Sequence, residues 1–338
     1  MKINRWIGAS LLALSVAGSN QAFAQEDFYA GKSISLVIGS GEAGVYDLGA
    51  RIMARYLKKY VPGAPNVVPR NMPGASSVVA AEYVYNVAAP DGLTLLTVQP
   101  TVVLNKSLDP AAKYKSERFS WIGRMQPVVL GGISWTKSPL KTIEDAKARS
   151  SIVSASGASG TSAIVPWALN KLIGTKFQVV RGYPSQRPQF LAMERGEVEG
   201  IGSASLSDVI TNRDWMDNKR VSILYTISQS RTKMAPDAPA IVEFATNDTD
   251  RKVLAMLGSV SDIGQTLLGP PGLPAAQLSI LRKSFLEMMK DPELIEEAKR
   301  IAIYVDPLSG EDLQTLVTAA ADVPNEIVEK LRAVTRPQ

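Results

Sequence analysis

Ile34-Ser-Leu-Val-Ile38 runs directly into Gly39-Ser-Gly-Glu-Ala-Gly-Val-Tyr-Asp47, and the reading of this stretch decides the fold. A short apolar run empties into a glycine-rich loop, and Leu48, Ile52, Tyr56 and Tyr60 then recur every four residues with Met53 and Leu57 beside them. That spacing predicts a helix with one buried face. Strand, glycine loop and helix together present backbone N–H groups to an anion, because the first helical turn has donors without partners and the macrodipole adds partial positive charge. Ser40, Gly41, Gly44, Val45 and Tyr46 are therefore candidate contacts for a small carboxylate. Asp47, in the first turn, is read as satisfying nearby backbone donors and shaping the anion site rather than touching the ligand. The spacing Gly39-x-Gly41-x-x-Gly44 also matches a dinucleotide fingerprint, which wants an acid at the end of the next strand. The next strand candidate, Asn66-Val-Val68, ends in Pro69-Arg70-Asn71 without one.

The pattern repeats along the chain. Asn71-Met-Pro-Gly-Ala-Ser-Ser77 leads into a second helix, so Gly74, Ala75 and Ser76 form a second anion loop. Leu93 to Val98 is a third strand, ending at Gln99-Pro-Thr101, and Thr101 joins the candidates. If these strands are parallel, their ends at Gly39, Asn71 and Gln99 share one edge, where ligands bind in open α/β sheets. Phe119 to Trp135 reads as an apolar strand crossing into a second lobe, where another βα series follows. There the polar loops at Ser156–Thr161, Arg181–Ser185 and Gly202–Ser205 supply Ser159, Thr161, Arg181, Tyr183 and Ser203. Ser159, Thr161 and Ser203 are neutral donors or helix caps; Arg181 pairs with a second carboxylate or faces solvent; Tyr183 meets the ligand or packs within the lobe. Val221 to Ile227 carries the chain back, and Thr142 with Asp145 is spaced as a capping box.

Composition removes whole classes of function. There is no Cys and no His, which excludes disulfides, thiolate nucleophiles, histidine triads and histidine zinc sites. No metal and no cofactor is expected, and Glu194, Glu197 and Glu199 are read as solvated rather than as a catalytic carboxylate pair. Lys2 and Arg5, an apolar run from Ile7 to Ala17 and Ala22-Phe-Ala24 read as a cleavable secretory signal. Removing Lys2 and Arg5 lowers the formal charge from +5 to +3, spread without a basic run, so nucleic acid is not an expected partner.

The ordered set Ile34–Arg51, Asn71-Met-Pro-Gly-Ala75, Pro90-Asp-Gly-Leu-Thr-Leu-Leu96, Ser138–Thr142, Gly196-Glu-Val-Glu199 and Gly269-Pro-Pro-Gly-Leu-Pro274 resembles the tripartite tricarboxylate transporter receptors, the Bug-type solute-binding proteins. The chain departs from that family's usual Pro-Gly-Gly with Gly39-Ser-Gly-Glu42, and from its Tyr-Lys-Gly with Arg181-Gly-Tyr183. The resemblance implies an α/β, two-lobe type II periplasmic binding protein fold, each lobe a mixed β-sheet flanked by helices. A carboxylate would lie in the interlobe cleft of a periplasmic monomer that serves the membrane components of a tripartite transporter. Residues 1–24 would be the signal, 25–127 and 233–338 the first lobe, and 128–232 the second. The alternatives are an exported enzyme with a Ser-Lys or carboxylate-pair site, and a receptor that signals to a membrane sensor.

Overall fold

The computed structural model describes residues 28–337, so the secretory signal read at residues 1–24 lies outside the described residues. Among the described residues, eleven strands form two sheets. The first, in spatial order β11-β4-β10-β3-β1-β2, contains β1 (Ser33–Ile38), β2 (Asn66–Asn71), β3 (Thr94–Thr97), β4 (Ser120–Gln126), β10 (Gln265–Gly269) and β11 (Leu308–Ser309). The second, in order β7-β6-β8-β5-β9, contains β5 (Leu130–Trp135), β6 (Ser151–Ala155), β7 (Phe177–Arg181), β8 (Gly200–Ser205) and β9 (Val221–Ile227). Both are mixed. β1 pairs parallel with β2 and β3, opposing Ile38 to Asn71 and to Thr97, so three strand ends meet at one edge as the sequence predicts.

The helices of nine residues or more, in chain order, are α1 (Val45–Tyr60), α2 (Val78–Asn86), α3 (Thr161–Ile173), α4 (Gln186–Glu194), α5 (Asp248–Gly258), α6 (Ala275–Met288), α7 (Pro292–Arg300), α8 (Gly310–Ala321) and α9 (Asn325–Val334). α1 forms where its stripe predicts, burying Ile52, Met53, Tyr56 and Leu57. Lys58 and Lys59 in its last turn complement the dipole. It is fastened to α7 and the turn before it: Tyr56 Oη donates to Glu297 at 3.0 Å, Tyr60 Oη to Asp291 at 3.0 Å, and Lys59 Nζ to Glu293 at 2.7 Å. The capping box is present, with Asp145 N donating to Thr142 Oγ1 at 3.2 Å. α9 packs against both α3 and α5.

Three elements differ from expectation. The apolar run Phe119–Trp135 is two strands, β4 and β5, one in each sheet, and Pro127-Val128-Val129 is the crossing between them. The proline has no N–H to continue a ladder. Gly202-Ser-Ala-Ser205 is not a loop but the end of β8, wholly buried in the second sheet. Its small residues are there because α3 lies directly on the strand; a Cβ on Gly202 would sit 2.1 Å from Ser162 O. β10, short and isolated in sequence, carries no periodicity that predicts a strand, yet it lies between β3 and β4. The return from β9 to β10 passes beside the first crossing: Val128 N donates to Ser261 O at 3.0 Å, and Ser261 Oγ to Ile227 O at 2.5 Å. Buried Ser261 thus ties the two crossings together.

Candidate functional site

Between the sheets is a cavity of about 60 Å³, room for roughly four to six water molecules. Its first wall is the β1–α1 loop. Gly44 caps α1 without a side-chain hydrogen bond, so the first-turn N–H groups, which no helix can satisfy internally, stay available beside Ser40, Gly41, Val45 and Tyr46. A clasp holds the loop in this shape. Asp47 is 2% exposed and its carboxylate accepts from Ala43 N at 2.9 Å, Arg51 Nε at 3.0 Å and Asn71 Nδ2 at 2.8 Å. Asn71 Nδ2 also donates to Ser40 O at 2.9 Å, and Arg51 donates to Asn71 Oδ1 at 2.7 Å. Burial alone would push the Asp47 carboxyl up, but hydrogen bonds from Arg51, Asn71 and Ala43 outweigh it and leave it below the usual carboxylate range. Asp47 therefore shapes the loop and is spent on it.

Beneath α1, fully buried Gln265 from β10 donates Nε2 to Val45 O and Tyr46 O, both at 3.1 Å. A Cβ on Gly49 would lie 2.0 Å from that amide, so glycine is required where the helix crosses it. The second loop is strained. Ala75, Ser76 and Ser77 all have positive φ, at 45°, 56° and 76°, held because Ser77 Oγ donates to Gly39 O and accepts from Gln99 N.

The second wall comes from the other sheet: Leu130, Ser156, Thr161, Ser162, Ser185, Gln186, Gln189 and Ser203. Thr161 Oγ1 donates to Ser203 Oγ at 2.9 Å. The lobes touch directly, with Gly41 N donating to Pro184 O at 3.3 Å, Ser159 Oγ to Ala75 O at 2.8 Å, and Ser76 Oγ lying 3.3 Å from Ser156 Oγ. This is a closed arrangement.

The cavity thus gathers Ser40, Gly41, Gly44, Val45, Tyr46, Thr101, Thr161 and Ser203. Gly74, Ala75, Ser76 and Tyr183 line an adjoining groove that shares Gln99 and Ser156 with it. Ser159 is an interlobe contact. Arg181 lies in neither, being exposed with its guanidinium 5.8 Å over the Trp167 ring. Gln99, Gln186 and Gln189 were missed; two glutamines three apart in the first turn of α4 were the available signal. Among the residues that line the cavity, three hydroxyls are buried with no hydrogen-bond partner: Ser40 Oγ, Tyr46 Oη and Thr101 Oγ1.

Asp208 was missed as well. Its Oδ2 accepts from Gln186 Nε2 at 3.0 Å, while Gln186 Oε1 takes the Ser205 N–H at 2.8 Å. Burial pushes the Asp208 carboxyl up to about 6, and burial followed by the Asp208 charge pushes the Tyr46 phenol upward. The folded protein thus holds the Asp208 proton more tightly than the unfolded chain, so stability falls as pH rises from about 4 to about 6. Asp208→Asn is expected to flatten that limb and to stabilise the protein above pH 6 by on the order of 2 kcal/mol, read by urea unfolding across pH. An unchanged limb would place the titration elsewhere.

Among the described residues no group of three or more acidic residues could hold a metal, and no helix is long and apolar enough to cross a membrane. Two mixed sheets joined by a double crossing, with a cavity between them, define a two-lobe fold. The model of the tripartite tricarboxylate transporter family receptors matches residues 50–333, and the chain belongs to that family of substrate-binding receptors. No curated protein matches the chain in sequence. Among solved structures, the periplasmic binding protein BugD is 20% identical with TM-score 0.70, covering 90% of this chain and 99% of its own. MatC from Rhodopseudomonas palustris with bound malate is 16% identical with TM-score 0.68, covering 90% of this chain and 99% of its own. Another R. palustris protein, with adipate, is 17% identical with TM-score 0.68, covering 89% and 97%. These likenesses establish the two-lobe fold.

Proposed function

We propose that this receptor captures a small carboxylate between its lobes in the periplasm and delivers it to a tripartite tricarboxylate-type membrane transporter. Residues 25–127 and 233–338 act as one lobe and 128–232 as the other, with the closed form recognised by the transporter. The receptor works as a monomer and carries out no reaction on its ligand. The observation that carries this is the cavity where the uncapped first turn of α1 meets the unpartnered, buried hydroxyls of Ser40 and Thr101. Buried hydroxyls without partners cost stability, and they are retained where a ligand completes them. Malate and adipate in two structural neighbours are consistent with a carboxylate here.

The test is a thermal-shift screen of carboxylates against their amides, since a ligand that binds only the native state raises the melting temperature. Acids are expected to stabilise and amides not to; equal responses would sink the anion site. Thr101→Val removes the hydroxyl and keeps the volume. It is expected to stabilise the unliganded protein by about 1 kcal/mol and to weaken the acid's binding about tenfold. Titration calorimetry and unfolding of the same variant read both effects.

A further inference from the structure

Charge and size at the cavity narrow the ligand, on the footing of the receptor reading. Every lining side chain is uncharged: Ser40, Tyr46 and Thr101 face Gln186, Gln189 and Ser203 with no Lys or Arg among the lining residues. One wall is ready for a carboxylate, with the first turn of α1 and hydroxyls of Ser40 and Thr101 that are unpartnered on residues 7% and 3% exposed. The opposite wall also has uncapped helix starts, but a carboxylate stands behind it. Gln186 is the first residue of α4, and its amide is already hydrogen-bonded to the Asp208 carboxylate. That negative charge sits where a second ligand carboxylate would seek the helix dipole, and no ion pair offsets it among the described residues. On that same wall, α3 offers a first turn that no side chain caps, Thr161 Oγ1 donates to Ser203 Oγ, and Ser162 Oγ accepts from Ser156 N. The Ser203 O–H is left as a donor, which suits an uncharged ligand oxygen beside the Asp208 charge.

We propose that the cavity takes a compact monocarboxylate of about two to four carbons, with an uncharged, hydrogen-bonding far end, and that Asp208, acting through Gln186, turns away a second carboxylate. Asp208 is a positioning residue: it fixes the Gln186 amide and sets the charge behind that wall.

Titration calorimetry of the purified protein against lactate, pyruvate, 3-hydroxybutyrate, malate, succinate and citrate tests this. At least one monocarboxylate is expected to bind saturably, with each di- or tricarboxylate at least about tenfold weaker. In Asp208→Asn the gap between malate or succinate and the preferred monocarboxylate is expected to narrow about tenfold, a ratio that a purely structural role would not move. A dicarboxylate that binds as tightly as every monocarboxylate overturns the inference, as does an unchanged ratio in the variant. The wild-type ratios decide the charge and size of the ligand even if the variant fails to fold. Silence from all six acids is a different failure, because it removes the carboxylate reading on which the inference rests.

Discussion

Gly41→Ala is expected to weaken ligand binding by about 5- to 150-fold while changing the unfolding of the unliganded protein by less than about 0.5 kcal/mol. The reason is the closed contact between lobes. A Cβ on Gly41 would lie 2.8 Å from Pro184 O, a backbone atom of the opposite lobe that cannot rotate away. The same contact carries the Gly41 N–H to Pro184 O hydrogen bond, so the methyl both crowds and lengthens it. Crowding of this kind costs about 1–3 kcal/mol. Only the closed form bears that cost, since an open cleft leaves the methyl in water. A ligand that binds the closed form then has to supply the difference. Calorimetry reads the affinity, and small-angle scattering with saturating ligand shows whether Gly41→Ala stays extended. Wild-type affinity in Gly41→Ala would mean that ligand capture does not require the contact with Pro184.

That loop was legible from sequence because everything that builds its backbone is local. Ile34–Ile38, the glycines and the α1 stripe are contiguous, and so are the parallel neighbours whose ends meet at Asn71 and Thr97. What supports the loop from a distance was not legible. Gln265 reaches Val45 and Tyr46 from a strand more than two hundred residues later, in a stretch too short for periodicity to reveal. Gly202-Ser-Ala-Ser205 has loop composition because a helix rests on it, so packing overrode propensity. Residue type leaves Arg181 as either a carboxylate partner or a solvent-facing side chain; in the fold it is exposed at the end of edge strand β7, over Trp167. Asp208 has no motif at all. Its significance comes from burial and from Gln186, and both are properties of the folded second lobe.

Asp47→Ala is expected to destabilise the protein by about 1–3 kcal/mol and to weaken ligand binding at least about tenfold. One carboxylate holds three donors from three places: Ala43 in the loop, Arg51 a turn further along α1, and Asn71 at the end of β2. Arg51 is one-third exposed and recovers part of its loss in water. Ala43, exposed and held at φ 62°, and the half-buried amide of Asn71 lose an acceptor that water replaces only in part. With Asn71 loosened, Ser40 O loses its donor too, so the damage reaches the cavity wall. Asp47→Asn keeps one acceptor oxygen and is expected to cost less, but it sets an amide donor against Arg51 and Asn71. The acid limb supplies an independent check. Because the folded Asp47 carboxyl lies below the usual range, its stabilisation is complete above about pH 4 and is lost as pH falls through the lowered value. Stability measured across pH in Asp47→Ala is therefore expected to lose wild-type steepness below pH 4 while keeping the opposite slope that Asp208 imposes between about 4 and 6. If the variant retained the full acid limb, the clasp would not be the group that titrates there, and the loop would owe its shape to the glycines and Gln265 alone.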